Sequence, residues 1–135
     1  MPVRTVLPLE EAVIQTLKIL AVDNEPTVTL SLRFVFSGPR YEITTVESGP
    51  AALAMLASNP DWYDIIIVDQ KMPNLTGVEL VSAIRSRGVR GKIVVVSAHL
   101  SPEIREAYKH LDVHVMFSKP FNVDMLRAAV DRLAV

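Results

Sequence analysis

The sequence predicts an α/β domain built on a doubly wound, five-stranded parallel sheet with helices on both faces. Three observations carry that prediction. Short apolar runs alternate five times with longer segments of helical periodicity. One of those runs, Ile65-Ile66-Ile67-Val68, is apolar throughout rather than at every second position, as a strand covered on both faces requires. Turn-forming pairs and singles, such as Gly38-Pro39 and Gly88, punctuate the alternation. The chain has 135 residues, half of them hydrophobic, which suits one domain with a sizeable core.

Leu17 to Val22 reads as the first strand and ends at Asp23-Asn24-Glu25. Pro26 suits the first turn of a helix, where its missing N–H is not needed. Val28, Leu32, Val35 and Phe36 then recur at helical spacing until Gly38-Pro39. Tyr41 to Val46 is rich in β-branched residues, which pack well on a pleated surface, and reads as the second strand. The Ala- and Leu-rich stretch Ser48 to Asn59 reads as the second helix, since these residues lose little freedom there. Ile65 to Val68 is the third strand. Trp62 and Tyr63 just before it are expected on its N-terminal side, away from the chemistry. Thr76 and Glu79 stand at capping-box spacing and predict a helix to about Arg87. Lys92 to Val96 is the fourth strand, with Ser97 at its C-terminal end. Ser101-Pro102-Glu103 joins a capping hydroxyl, a proline and an early acid, and so starts a helix. Val113 to Phe117 reads as the fifth strand. Asn122 caps a last helix with apolar positions at Val123, Leu126, Val130 and Leu133. Residues 1–16 fall outside the repeat and form an N-terminal extension to a domain over 17–135. Within it, Leu9 to Thr16 reads either as a short helix or as a tail on the sheet edge.

Composition excludes several functions. Cysteine is absent, so disulfides and thiolate metal sites are ruled out, in keeping with the cytoplasmic location expected of the chain. The net charge is -1 with both signs dispersed, so direct nucleic-acid binding is not expected. No apolar run approaches 18 residues and no polybasic amphipathic segment occurs, so neither is membrane association. The N-terminus lacks the charged, apolar and small-residue order of a signal peptide. The three histidines are not at metal-ligand spacing, although His99 lies near the edge described next.

Ligands of open parallel sheets bind beyond the carboxyl ends of the strands. Asp23, Asn24 and Glu25 follow the first strand there, Asp69 the third, Ser97 and Ala98 the fourth, and Ser118, Lys119 and Pro120 the fifth. Carboxylates, a hydroxyl and a lysine converging on one edge suit phosphoryl transfer. An aspartate can act as nucleophile and form an acyl phosphate. A Mg²⁺ ion held by hard oxygens offsets its charge, and a lysine and a hydroxyl serve the phosphoryl oxygens. Each residue also has a plainer reading. Asp23 and Asn24 can be helix caps, Asp69 a turn residue, Ser97 a strand-end hydroxyl and Lys119 a solvated lysine. Met116 and Phe117 can be core residues.

Four segments together resemble the receiver domains of bacterial two-component response regulators: ILAVDNEP (19–26), DIIIVDQKMP (64–73), VVVSAH (94–99) and FSKPF (117–121). Gly77 also matches, and the resemblance spans 17–134. It implies a flavodoxin-like strand order 2-1-3-4-5. It makes Asp69 the phosphoacceptor, Asp23 one of an acidic pair that holds Mg²⁺, and the backbone carbonyl of Lys71 a further metal ligand. Ser97 becomes the switch hydroxyl, and Lys119 the lysine that meets the phosphoryl group, with Pro120 following in a bond that is often cis. The implied donor is a histidine kinase or phosphotransfer protein. An output domain or effector, and a homodimer, are partners such domains use. The implied chemistry is confined to the domain's own phosphorylation and dephosphorylation. Whether the chain stands alone or belongs to a longer regulator is left open.

Two positions depart from the family pattern. Asn24 stands where a second acid is usual, so an uncharged amide oxygen would face the metal and weaker binding is expected, unless the side chain of Glu25 points inward. Met116 stands at the usual aromatic switch position, with Phe117 beside it, so the signalling face has a different chemistry. Asn24 also favours an alternative, a phosphorylation-independent interaction module on the same fold. Asp69, Ser97 and Lys119 together argue against it. A phosphatase with an aspartyl intermediate usually has an acid two residues past its nucleophile, where Lys71 stands here. Flavin binding lacks a glycine-rich phosphate loop after the first strand.

Overall fold

A computed structural model describes residues 16–134. Five strands and five helices alternate strictly: β1 (Leu17–Val22), α1 (Pro26–Val35), β2 (Tyr41–Val46), α2 (Gly49–Ser58), β3 (Ile65–Val68), α3 (Gly77–Ser86), β4 (Lys92–Ser97), α4 (Pro102–His110), β5 (Val115–Ser118) and α5 (Val123–Leu133). The strands form one parallel sheet in the order β2-β1-β3-β4-β5, the order the family resemblance implies. The reading of Leu9 to Thr16 lies, but for Thr16, outside the described residues.

Side-chain alternation divides the core into two layers. Leu20, Val22, Ile66, Val68, Ile93 and Val95 face α2, α3 and α4, where they meet Leu56, Leu80, Ile84 and Tyr108. Their neighbours Ile19, Ala21, Ile65, Ile67, Val94 and Val96 face α1 and α5 and meet Leu32, Val35, Leu126 and Val130. A strand with a layer on each side needs apolar residues at every position, and this is why β3 reads as an unbroken run. Each Ile or Leu so buried contributes roughly 1.5–3 kcal/mol relative to exposure.

Local signals set the helix starts. Ser48, Thr76, Ser101 and Asn122 each accept a hydrogen bond from a first-turn N–H, and Thr76 and Glu79 close a reciprocal capping box. Pro26, Pro50 and Pro102 stand in first turns. Tyr63 is buried before β3, while Trp62 stays partly exposed with the Lys18 ammonium 4.6 Å from its ring centre.

One boundary differs from expectation. β5 begins at Val115, not Val113. Asp112 adopts a left-handed φ of 63°, and the Val113 N–H still bonds the Tyr108 carbonyl at the end of α4. Val113 is apolar because it fills the core beside α4, not because it belongs to the ladder.

Candidate functional site

Backbone bonds that extend past the strand ends hold the polar residues side by side. The Asp23 N–H donates to the Val46 carbonyl at 3.1 Å, the Asp69 N–H to Val22 at 3.0 Å, and the Lys119 N–H to Ser97 at 3.1 Å. The sheet itself thus brings Asp23, Asp69, Ser97 and Lys119 to one edge. Asp23, Asp69 and Ser97 are buried, and Lys119 is partly so.

Lys119 is the centre of the charge arrangement. Its Nζ lies 2.8 Å from Asp23 Oδ2, 2.9 Å from Glu25 Oε1 and 3.4 Å from Asp69 Oδ2. Burial pushes the Asp23 carboxyl above its ordinary range, and the Asp69 charge adds to that. Hydrogen bonds from Lys119 and from the Glu25 N–H only partly reverse it. The Lys119 bond holds the exposed Glu25 below the usual value. Burial disfavours the charged form of Lys119, but hydrogen bonds to Asp23 and Glu25 outweigh it and raise its pKa.

Asp23, Glu25 and Asp69 each offer a carboxylate oxygen, all within 4.8 Å of one another. One ammonium among three carboxylates leaves negative charge in excess, and the donors are hard oxygens. That set fits a divalent cation of the Mg²⁺ type. Asn24 and the exposed Lys71 line the same cleft of about 480 Å³, together with His99. Glu25 joins the two aspartates through its bond to Lys119 from the exposed side of the cleft, and Asn24 lines the same cleft.

With this geometry in place, comparison with known sequences is decisive. Residues 19–131 match the response regulator receiver domain. The chain belongs to that family. It is 25% identical over 115 residues to sporulation initiation phosphotransferase F of Bacillus subtilis, covering 85% of this chain and 91% of that one. The response regulator MprA of Mycobacterium leprae is 33% identical over 117 residues. That match covers 87% of this chain but 50% of MprA, so the chain spans about half that relative's length. Among solved structures, the Vibrio cholerae chemotaxis protein CheY4 superposes with a TM-score of 0.79 at 29% identity, covering 87% of this chain and 98% of CheY4.

The remaining site residues of this receiver domain take distinct positions. The Ser97 hydroxyl is fully buried and accepts from the His99 N–H at 3.1 Å and, at 3.4 Å, from the Gln70 N–H. The Lys119–Pro120 peptide is cis. Met116 and Phe117, both half-buried, point to opposite faces of β5: Met116 packs with the α2–α4 layer and Phe117 with the α1–α5 layer. They therefore do not form one cluster.

Two polar residues escape sequence reasoning. Gln70 donates its backbone N–H to Asp69 Oδ1 at 2.8 Å. Its side-chain Oε1 accepts from the Tyr108 hydroxyl and from the Val78 N–H at 3.1 Å. Gln70 had a signal, a polar amide beside Asp69 at the end of an apolar strand. Tyr108 had none, because its partner is 38 residues away in sequence. Gly77 makes the meeting possible: a Cβ there would collide with the Tyr108 hydroxyl, the Asp69 carbonyl and the Gln70 backbone. Substituting it would force the loop that carries Asp69 to shift.

Proposed function

We propose that this receiver domain accepts a phosphoryl group on Asp69 from a phosphohistidine of a histidine kinase or phosphotransfer protein, and changes conformation in response. The observation that carries the proposal is the burial of Asp69 at the end of β3 with Lys119 Nζ 3.4 Å from one carboxylate oxygen and two further carboxylates beside it. In the transfer, an Asp69 oxygen forms a bond to phosphorus as the phosphorus–nitrogen bond of the donor breaks. The electron pair stays on the imidazole nitrogen, which takes up a proton. Lys119 holds Asp69 in place beforehand and supplies positive charge for the phosphoryl oxygens. The Ser97 hydroxyl is the group assigned to the remaining oxygen. Asp23, Asp69 and Glu25, with Asn24 and the Lys71 carbonyl as uncharged donors, are the residues assigned to hold Mg²⁺. When bound, the ion supplies charge neutralisation between the carboxylates and the incoming group.

The same reading makes 17–135 the receiver domain and 1–16 an extension to it, with catalysis limited to the domain's own phosphorylation and hydrolysis. Met116 and Phe117 are assigned to the responding surface. An output domain or effector protein, or a second copy of the chain, would read that surface. No helix among the described residues is long and apolar enough to cross a membrane; the cytoplasmic setting is part of the same proposal. Asn24 favours a second reading, an interaction module that needs no phosphoryl group.

Incubation with Mg²⁺ and acetyl phosphate separates the two. Intact mass should gain one phosphoryl group on the parent and none on Asp69→Ala. A parent that gains nothing, even at high Mg²⁺, overturns the phosphoacceptor reading in favour of the module.

A further inference from the structure

Gln70 links two environments. Its backbone N–H serves the Asp69 carboxylate, and its side-chain oxygen is held by Tyr108 of α4 and by the first turn of α3. Tyr108 is the buried residue of α4, with no exposed surface, and Gln70 is 8% exposed. A buried amide and phenol demand partners that an apolar pair of the same volume would not. These two satisfy one another. The only part of α4 that is fully buried is therefore joined by a hydrogen bond to the residue next to Asp69.

We infer that the Gln70–Tyr108 hydrogen bond couples the state of Asp69 to α4. The inference rests on the phosphoacceptor reading above. An ionised carboxylate is a charge-assisted acceptor, roughly twice as strong as a neutral one. Once a phosphoryl group is attached, one Asp69 oxygen bridges to phosphorus and the other is a neutral carbonyl. The charge has moved onto the phosphoryl oxygens. The Gln70 N–H then loses its charged partner, while Ser97 Oγ remains within reach at 3.4 Å. Reorientation of that peptide moves the Gln70 side chain, whose far end is tied to Tyr108. In a close-packed interior the displacement passes to the packed neighbour, here α4, because such contacts rearrange rather than stretch. Gln70 and Tyr108 are thus positioning residues that act through Asp69's surroundings and touch no substrate.

The test uses the full chain with Mg²⁺ and beryllium fluoride as the phosphoryl mimic, read by amide chemical shifts of the parent, Tyr108→Phe and Gln70→Leu. In the parent, shifts are expected at 97–99, at 119 and along α4. In Tyr108→Phe the shifts at 97–99 and 119 persist, and those of α4 shrink about twofold or more, as loss of a coupling between sites requires. Acetyl phosphate should still add one phosphoryl group to that variant. A role in packing alone would lower stability and leave the α4 response intact, so an undiminished response in either folded variant overturns the link. Gln70→Leu removes the acceptor while keeping the ring, and covers the case in which Tyr108→Phe does not fold. A parent that responds at 97–99 and 119 but not in α4 overturns the link alone. A parent with no response anywhere overturns the phosphoacceptor reading and the link with it.

Discussion

Asp23 and Asp69 retain 2% and 3% of their surface, and a carboxylate taken that far from water is several kcal/mol less stable if left unpaired. Lys119 pairs with both and offsets part of this cost, and Glu25 reaches the same ammonium from the exposed side. Tyr108 is a second expensive group. Burial, with the Asp69 charge behind it, raises its hydroxyl well above the ordinary tyrosine range. A raised folded-state pKa gives stability that is complete below the unfolded value, near 10, and is lost as the pH climbs from there toward the folded value. The stability of the parent relative to Tyr108→Phe should therefore be level through neutral pH. Above about pH 10 it should fall by up to about 1.4 kcal/mol per pH unit. Urea titrations of both proteins across that range measure it, and a difference independent of pH would contradict the assignment of Tyr108 as a buried neutral phenol.

The elements most readable in the sequence are those with a local cause. The α3 capping box is an example: the Thr76 side chain accepts from the Glu79 N–H at 3.2 Å, and Glu79 Oε1 accepts from the Thr76 N–H at 2.9 Å. Both partners lie within one turn, so their spacing alone announces them. The box also fixes where α3 begins, and so holds Gly77 against the Asp69 loop, where its N–H bonds the Gln70 carbonyl at 2.9 Å. Thr76→Ala should lower stability by about 1 kcal/mol. Adding Glu79→Ala should cost less than its separate effect, because the two bonds act as one unit. Chemical denaturation of the single and double variants checks both statements, and strict additivity would show that the box does not close in solution. The start of β5 is not legible in the sequence for the opposite reason. Val113 is apolar because it meets α4 in space, and nothing in the run Val113 to Phe117 distinguishes a core-filling turn residue from a ladder residue.

At the scale of the molecule, the doubly wound sheet sends every strand's carboxyl end to one edge, so residues from β1, β3, β4 and β5 assemble a site without being close in sequence. A ligand that engages the assembled edge stabilises the whole fold, because the unfolded chain cannot present those groups together. Mg²⁺ with beryllium fluoride at 100 times its dissociation constant should add about 2.7 kcal/mol. In scanning calorimetry this appears as a rise in Tm of several degrees. Asp69→Ala should show no such rise with beryllium fluoride. An equal rise in that variant would mean that the mimic binds elsewhere.

The sequence by itself determined the succession of strands and helices, the two-sided burial of β3, and the helix starts. It also identified Asp23, Asp69, Ser97 and Lys119 as the residues at strand ends. Each of these follows from signals carried within a few residues, or from the topology that parallel strands impose. Only the tertiary structure decided that the Glu25 carboxylate turns to Lys119 beside the two aspartates. Only it joined Gln70 to Tyr108. Those outcomes depend on side-chain direction and on contacts between distant segments, and residue spacing along the chain holds no record of either.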